Sequence, residues 1–141
     1  MHISGKILFE TNFCKTTWAE EENIMYVLWK EKTLTMHDDQ FKEHLLSFAK
    51  FVQQYQVENI FVDTQHCFYT IGLNIQKWHD DVIVPLYLEG GLKKMAFLTS
   101  LDFYSQISHE QSFQEFNSRK LWVKFFDNAN QAFKWLMNGL S

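Results

Sequence analysis

Asn59-Ile60-Phe61-Val62 is the stretch that decides the fold, because a short, continuous apolar run of this kind is typical of a strand buried on both faces. Met95-Ala96-Phe97-Leu98 is a second run of the same type, and Leu121-Trp122-Val123-Lys124-Phe125-Phe126 predicts the last strand. Helical patterns separate the three runs, and strands that alternate with helices indicate a mainly parallel sheet covered by helices. The sequence therefore predicts an α/β domain.

The first helical pattern precedes Asn59. Its apolar residues are spaced 4, 3, 4 and 3 apart, which places them on one helical face. They are Phe41, Leu45, Phe48, Val52 and Tyr55. Thr35 is the predicted N-cap of this helix, and Asp38, three residues later, is its expected capping-box partner.

A second helical pattern lies between the first two buried strands. Its predicted apolar stripe consists of Ile75, Trp78, Val82 and Leu86. Pro85 falls inside the pattern, so the helix should either kink there or restart with proline in its first turn. Gly90-Gly91 is expected to end it in the left-handed conformation.

Two further helices complete the pattern. Ser108 is predicted to open the third helix with Gln111 as its capping-box partner, and Phe113 and Phe116 should face inward. Asp127 is the predicted cap of the last helix. The buried stripe of that helix is predicted to consist of Ala129, Ala132, Phe133 and Leu136.

The first third of the chain predicts strands. Ile7-Leu8-Phe9 suggests a short edge strand, and two β-rich runs, 13–19 and 24–29, flank a four-residue polar turn as in an antiparallel hairpin. The complete prediction is a single domain over residues 1–141. It is α/β, with a mainly parallel sheet of about five strands, an N-terminal antiparallel hairpin and four helices.

Composition excludes several classes of function. The 141 residues include 13 Lys and Arg against 17 Asp and Glu, a net charge of -4, and no basic cluster of the kind that nucleic acid requires. No apolar run is long enough to span a membrane, and the start lacks a secretory signal. Cys14 and Cys67 show no metal or redox spacing, so a reduced, cytoplasmic protein without cofactor is expected.

Several short strings, in order from about residue 7 to 137, carry a family resemblance. They are 9–14 (FETNFC), 26–30 (YVLWK), 62–64 (VDT), 76–78 (QKW), Pro85, 91–96 (GLKKMA), 125–127 (FFD) and 132–136 (AFKWL). Together with the element order, they make the chain resemble the SpoIIAA-like, or STAS, family, in particular small bacterial STAS-like proteins. That fold is related in architecture to lipid-exchange domains of the Sec14/CRAL-TRIO kind.

The resemblance implies a possible phosphoswitch. In the anti-anti-sigma branch of the family, a serine at the start of the helix after the central strand is phosphorylated. The corresponding region here is 64–73, where the Asp-Ser-Ser-Gly string of that branch is absent. Thr70 is the hydroxyl placed just before Gly72-Leu73, and it is the candidate phosphoacceptor.

The fold also indicates where a ligand or partner would bind. In parallel α/β sheets, ligands favour the crevice beyond the carboxyl ends of the strands, which here should gather Asp63, Thr99 and Asp127. Aromatic residues in the connections at those ends could line an apolar pocket or a partner-binding patch, or could fold back onto the core. The predicted site residues are Asp63, Thr64, His66, Phe68, Tyr69, Trp78, Phe103 and Tyr104.

Patterns that would support catalysis are weak. His66 and Cys67 follow Asp63, but adjacent residues on an extended segment point to opposite faces, so the two should not meet. The two His-Asp-Asp strings, at 37–39 and 79–81, fan out around helices and predict no metal site.

The leading hypothesis is a non-enzymatic regulatory or binding module that recognises a protein partner or a small apolar ligand at the strand-end rim. One alternative is a small hydrolase that uses Cys67 or a hydroxyl such as Ser105. The other is a structural homodimer, joined through exposed aromatic residues and without a ligand.

Overall fold

A computed structural model of the chain describes residues 5–100 and 121–138. Within them the strands are β1 (Lys6–Glu10), β2 (Cys14–Ala19), β3 (Ile24–Trp29), β4 (Asn59–Asp63), β5 (Lys94–Leu98) and β6 (Trp122–Phe126). They form one sheet in sequential order, with antiparallel pairing from β1 to β3 and parallel pairing from β3 to β6. The predicted α/β fold is confirmed, and the edge strand β1 brings the described strands to six rather than about five.

The described helices are α1 (Asp38–Tyr55), α2 (Leu73–Trp78), α3 (Val84–Glu89) and α4 (Ala129–Met137). A 3-10 turn, Glu31–Thr35, precedes α1, and a π-helical segment, His79–Ile83, joins α2 to α3. None of the helices in the described part of the chain is both long and apolar enough to span a membrane. The helix predicted to begin at Ser108, with Gln111, Phe113 and Phe116, lies outside the described residues.

Alternation along the strands divides the core between two faces of the sheet. What we call the first face carries Met25, Val27, Ile60, Val62, Met95 and Phe97. It packs against α1, α2 and α3, because sequential parallel strands joined by right-handed crossovers place their connecting helices on one side. The second face carries Ile24, Tyr26, Phe61, Ala96 and Leu98. It packs against α4, which follows the last strand.

Two predicted helix caps are wrong by one or two residues. The N-cap of α1 is His37, whose backbone N–H donates to the Gln40 side chain at 2.8 Å, whereas Thr35 belongs to the preceding 3-10 turn. The N-cap of α4 is Asn128 rather than Asp127, and its side-chain oxygen accepts from the backbone N–H of Gln131 at 3.0 Å. At α1 the Gln40 side chain satisfies the N–H of the N-cap residue, and at α4 the Asn128 side chain satisfies a free N–H of the first turn.

The register of the second predicted helix changes at the π-helical segment. The predicted stripe placed Val82 inward, but Val82 is 38% exposed, and the buried residues are Ile83, Val84 and Tyr87. A π turn takes an additional residue, so the buried face moves one position along the chain. The helix does restart with Pro85 in its first turn, as predicted, and Gly91 adopts a positive φ of 96° after it.

Lys94 lies on the second face of the sheet and holds the C-terminal end of α4 by hydrogen bonds. Its buried Nζ donates to the carbonyl oxygens of Trp135 at 2.9 Å, Leu136 at 2.9 Å and Asn138 at 3.2 Å. These carbonyls lie at the C-terminal end of α4, where the helix dipole favours a cation. Desolvation lowers the pKa of the Lys94 ammonium, and the three acceptors replace the water that it loses.

Candidate functional site

The carboxyl ends of β4, β5 and β6 meet at one edge of the sheet. Leu98 is in register with both Asp63 and Phe126. Beyond the strands, the backbone N–H of Thr64 donates to the Leu98 carbonyl at 2.8 Å, and that of Thr99 donates to the Phe126 carbonyl at 3.0 Å. The predicted common rim, at which Asp63, Thr99 and Asp127 follow one another, is confirmed.

The polar residues predicted at this rim point in different directions. Asp63 lines a depression on the second face with Leu28 and Leu98, and its Oδ1 accepts from the backbone N–H of Gln65 at 3.0 Å. Thr64 is buried, and its hydroxyl donates to the Leu98 carbonyl at 3.0 Å. His66 is exposed, with its Nδ1 3.8 Å from a carboxylate oxygen of Glu31.

The aromatic residues predicted at the rim also separate. Tyr69 folds back onto the core, where its ring stacks on Phe41 at 4.6 Å and its hydroxyl donates to Asp38 at 2.6 Å. Phe68 remains 49% exposed. Trp78 is half-buried, with the ammonium of Lys42 over its ring. Phe103, Tyr104 and Ser105 lie outside the described residues.

Thr70, the candidate phosphoacceptor, is exposed and precedes the N-cap Gly72 of α2 by two residues. Its exposure would allow access to a modifying enzyme. Helix α2 has six residues before the π-helical segment begins, and its N-cap is a glycine without a side chain. Phosphorylation of Thr70 therefore stays a prediction from the family resemblance.

A cavity lies between α1, the π-helical segment and the first face of the sheet. It offers about 60 Å³ to the centres of water-sized molecules, on a measure in which one water needs roughly 10–15 Å³. It therefore has room for about four waters or one small organic molecule. The residues that line it are Val27, Trp29, Phe41, Leu45, Phe48, Ile60, Val62, Thr64, Cys67, Ile71, Gln76, His79, Tyr87, Met95 and Phe97.

The cavity comes closest to solvent at one place. Of the residues that line it, Cys67, Ile71 and His79 are half-buried, and the others are buried. Cys67 and Ile71 belong to the connection after β4, and His79 begins the π-helical segment. The connection that forms the predicted rim therefore also forms the outer wall of the cavity.

Gln76 is the most informative polar residue in the lining. It is only 5% exposed, and its Nε2 donates to the carbonyl oxygen of Ile71 at 3.1 Å. This bond fixes the orientation of the amide, because exchanging the two amide atoms would bring Oε1 against another acceptor. Within residues 5–100 and 121–138, Oε1 has no hydrogen-bond partner. A buried acceptor left unpaired costs roughly 1–3 kcal/mol.

Burial favours the neutral forms of two acidic groups in the lining, Cys67 and Tyr87. Burial raises the pKa of the Cys67 thiol and that of the Tyr87 hydroxyl. His66, adjacent to Cys67, lies near Glu31. The two residues belong to a turn, in which the backbone N–H of Cys67 donates to the Thr64 carbonyl at 3.1 Å, rather than to the extended segment that was predicted. Among the described residues, no lysine, arginine, aspartate or glutamate lines the cavity. The arrangement therefore suits contact with an uncharged molecule better than activation of a thiolate.

The side of this cavity that α2, the π-helical segment and α3 form was not predicted from the sequence. Gln76, His79, Ile83 and Tyr87 are spaced 3, 4 and 4 apart, so they form a second stripe, one position along from the stripe that was predicted. Three of the four residues are polar or amphipathic, which makes the stripe look solvent-facing. The sequence feature that could have revealed this stripe is the pair Ile83 and Tyr87, which are spaced four residues apart as on one helical face.

Metal binding has no geometric support in the part of the chain that the structure describes. There, no group of three or more His, Cys, Asp or Glu side chains is placed to hold a metal ion. The two His-Asp-Asp strings lie apart, one at the start of α1 and one in the π-helical segment.

Comparison with known proteins gives no match to any family model, curated protein or solved structure. The case for a function therefore rests on the fold, the cavity and the contacts of its lining residues.

Proposed function

We propose that the chain is a non-enzymatic binding module of the STAS-like type that takes a small apolar molecule into the cavity on the first face of its sheet. The observation that carries this proposal is the combination of an apolar cavity with a buried, unpaired acceptor, Gln76 Oε1. The fold-level resemblance agrees with a binding role, but a fold does not determine a function.

The lining explains why an apolar molecule would bind. Side chains around an empty apolar space lose dispersion contacts that neighbouring atoms would otherwise supply. A ligand restores these contacts and removes its own apolar surface from water, at roughly 25 cal/mol per Å². The ring of Trp29 contacts those of Phe41 and Phe48 at the edge of the cavity, with centroids 5.7 Å apart in both pairs.

Access to the cavity requires movement of the connection after β4. Thr33 in the 3-10 turn and Asp38, the first residue of α1, tie this connection through three hydrogen bonds, one of which runs from the Thr33 hydroxyl to the His66 carbonyl oxygen at 3.5 Å. The backbone N–H of Phe68 donates to the Thr33 hydroxyl at 2.8 Å, and the Tyr69 hydroxyl donates to Asp38 at 2.6 Å. A connection held by few bonds can open without disturbing the sheet beneath it.

The contacts of Cys67 support binding over hydrolysis. A nucleophilic cysteine needs a lowered pKa and a positioned base. Burial raises the pKa of Cys67, and His66 is directed to solvent beside Glu31. The protonated thiol then acts as part of an apolar wall.

Binding of toluene tests the proposal. We expect wild-type protein to bind toluene saturably, as measured by NMR shifts of Ile60, Val62 and Met95 and by a rise in melting temperature. Val62→Phe places a ring in the cavity and should abolish binding. Ile71→Phe, in the more adaptable connection, is a second filling variant should Val62→Phe fail to fold.

Two control variants separate the cavity from other surfaces. Val82→Phe makes the same side-chain change at an exposed position of the π-helical segment and should bind toluene as wild type does. Phe68→Ser removes the exposed aromatic residue of the rim and should also leave binding unchanged. Absence of saturable binding in wild type would overturn the proposal, and so would undiminished binding in a folded filling variant.

A further inference from the structure

We infer that the ligand is a neutral aromatic molecule with one hydrogen-bond donor, such as a phenol, and that Gln76 Oε1 accepts this donor. The inference rests on the proposed function, because it names the class of molecule that the same cavity would take. It depends on the charge, the aromatic content and the hydrogen bonding of the residues that line the cavity.

The lining favours a neutral ligand. Burial of a charge without a partner is costly, and among the described residues the cavity has no acidic or basic side chain other than His79. His79 already lies beside a carboxylate, since its Nδ1 is 3.4 Å from Asp80 Oδ1. A carboxylate ligand would therefore compete with Asp80, and a cationic ligand would find no counter-charge in this lining.

The lining also favours a ring. Trp29, Phe41, Phe48 and Phe97 all border the cavity. Aromatic pairs gain from offset-stacked and edge-to-face contacts beyond the area that they bury. Trp29 shows both geometries, stacked with Phe41 and edge-on to Phe48. A ring in the cavity would extend this cluster, whereas a flexible aliphatic chain would lose conformational entropy on binding.

The hydrogen bonding of Gln76 indicates that the ligand carries a hydrogen-bond donor. The bond from its Nε2 to Ile71 leaves Oε1 as the free end of the amide, so the missing partner must donate a hydrogen. A hydrocarbon ligand would leave this acceptor unpaired. A hydroxyl or N–H group would satisfy it in a low-dielectric setting, where hydrogen bonds to correctly placed partners discriminate strongly between ligands.

Paired probes test this assignment. p-Cresol and toluene have similar shape, but only p-cresol has a donor. We expect wild-type protein to bind p-cresol about tenfold more tightly than toluene, as one neutral hydrogen bond allows. In Gln76→Met the ratio of the two affinities should fall to about one, whatever the affinity of the variant for toluene itself. Isothermal titration calorimetry measures both affinities.

A matched control and a second readout keep the test decisive. Gln65→Met changes an exposed glutamine in the connection that follows β4, outside the cavity lining, and should preserve the preference. In wild type, p-cresol but not toluene should shift the side-chain carbonyl resonance of Gln76, a measurement that does not require the variant to fold. A preference that persists in Gln76→Met, or a Gln76 carbonyl that does not respond to p-cresol, would overturn the inference.

The failure of this inference is distinct from the failure of the proposed function. Equal affinity of wild type for the two probes would contradict the donor requirement while leaving an apolar binding cavity in place. Absence of binding by both probes would contradict the cavity's role itself, and the inference with it.

Discussion

The two faces of the sheet differ in the hydrogen bonding of their buried polar side chains. On the second face, the buried ammonium of Lys94 reaches three carbonyl oxygens at the end of α4. On the first face, Gln76 lines a cavity, and its Oε1 has no partner among the described residues. Among the described residues, the buried cation of the second face has its acceptors, whereas the first face combines an apolar cavity with an unmet acceptor. This difference indicates that the first face is the one that gains from a ligand.

The largest effect should come from breaking the second face. Lys94→Met removes the donor to three carbonyls at the end of α4, and we expect it to lower the free energy of unfolding by about 3 kcal/mol in urea denaturation. Lys93→Met is the matched control, because Lys93 is exposed and pairs with Glu58 at 3.6 Å on the surface. It should cost less than about 0.5 kcal/mol. Equal losses in the two variants would show that the buried contacts of Lys94 are not needed.

Alkaline pH should lower the stability of the protein through a buried group on each face, in a different pH range for each. On the first face, burial raises the pKa of Cys14 from 9.0 to about 11. The unfolded thiol ionises first, so stability is intact below pH 9 and falls as pH rises through about 11, by an amount on the order of 2 kcal/mol. Tyr26, on the second face, has its pKa raised from 10.0 to about 12, which places its range higher.

Urea denaturation at a series of pH values measures this dependence. Cys14→Ala should reduce the fall in stability between about pH 9 and 11, whatever its effect at neutral pH. The comparison uses the slope with pH, because the variant also removes buried volume. A slope identical to that of wild type would show that Cys14 does not contribute to it.

A smaller effect should come from loosening the outer wall of the cavity. Thr33→Val removes the acceptor of the Phe68 N–H and should cost about 1–2 kcal/mol. It should also speed toluene dissociation, because the connection after β4 loses both of its hydrogen bonds to the Thr33 hydroxyl and keeps the one from Tyr69 to Asp38. NMR exchange spectroscopy measures the rate.

Thr35→Val is the control for this comparison. Thr35 is exposed, and its hydroxyl donates to the carbonyl of Lys32 within the same turn, away from the connection after β4. The toluene dissociation rate should match that of wild type. A Thr33→Val variant with an unchanged rate would indicate that the ligand enters elsewhere.

The fold could be predicted from the sequence because its main signals are local. The apolar runs at β4 and β5 are too short for helices and too continuous for half-exposed strands. The 4, 3, 4 and 3 spacing in α1 likewise describes one helical face, and four of its five residues are buried. The rim followed from topology, since parallel strands in register must end together.

The cavity could not be predicted in the same way, because it depends on a change of register. Helical periodicity assumes 3.6 residues per turn, and the π-helical segment departs from it between Trp78 and Val84. Within that segment the predicted stripe includes the exposed Val82, and beyond it the stripe misses the buried Tyr87. The unmet acceptor of Gln76 is a property of three-dimensional packing, so no spacing rule reveals it.

The single additional residue in the π-helical segment has a consequence for how this sequence can vary. Each residue of an α-helix turns it by about 100°. Deletion of one residue between His79 and Ile83 would therefore regularise the helix yet rotate Tyr87 away from the wall that it forms. Substitutions at the exposed Val82 leave that rotation untouched. In this stretch, we expect natural variants to conserve the number of residues more strictly than their identity.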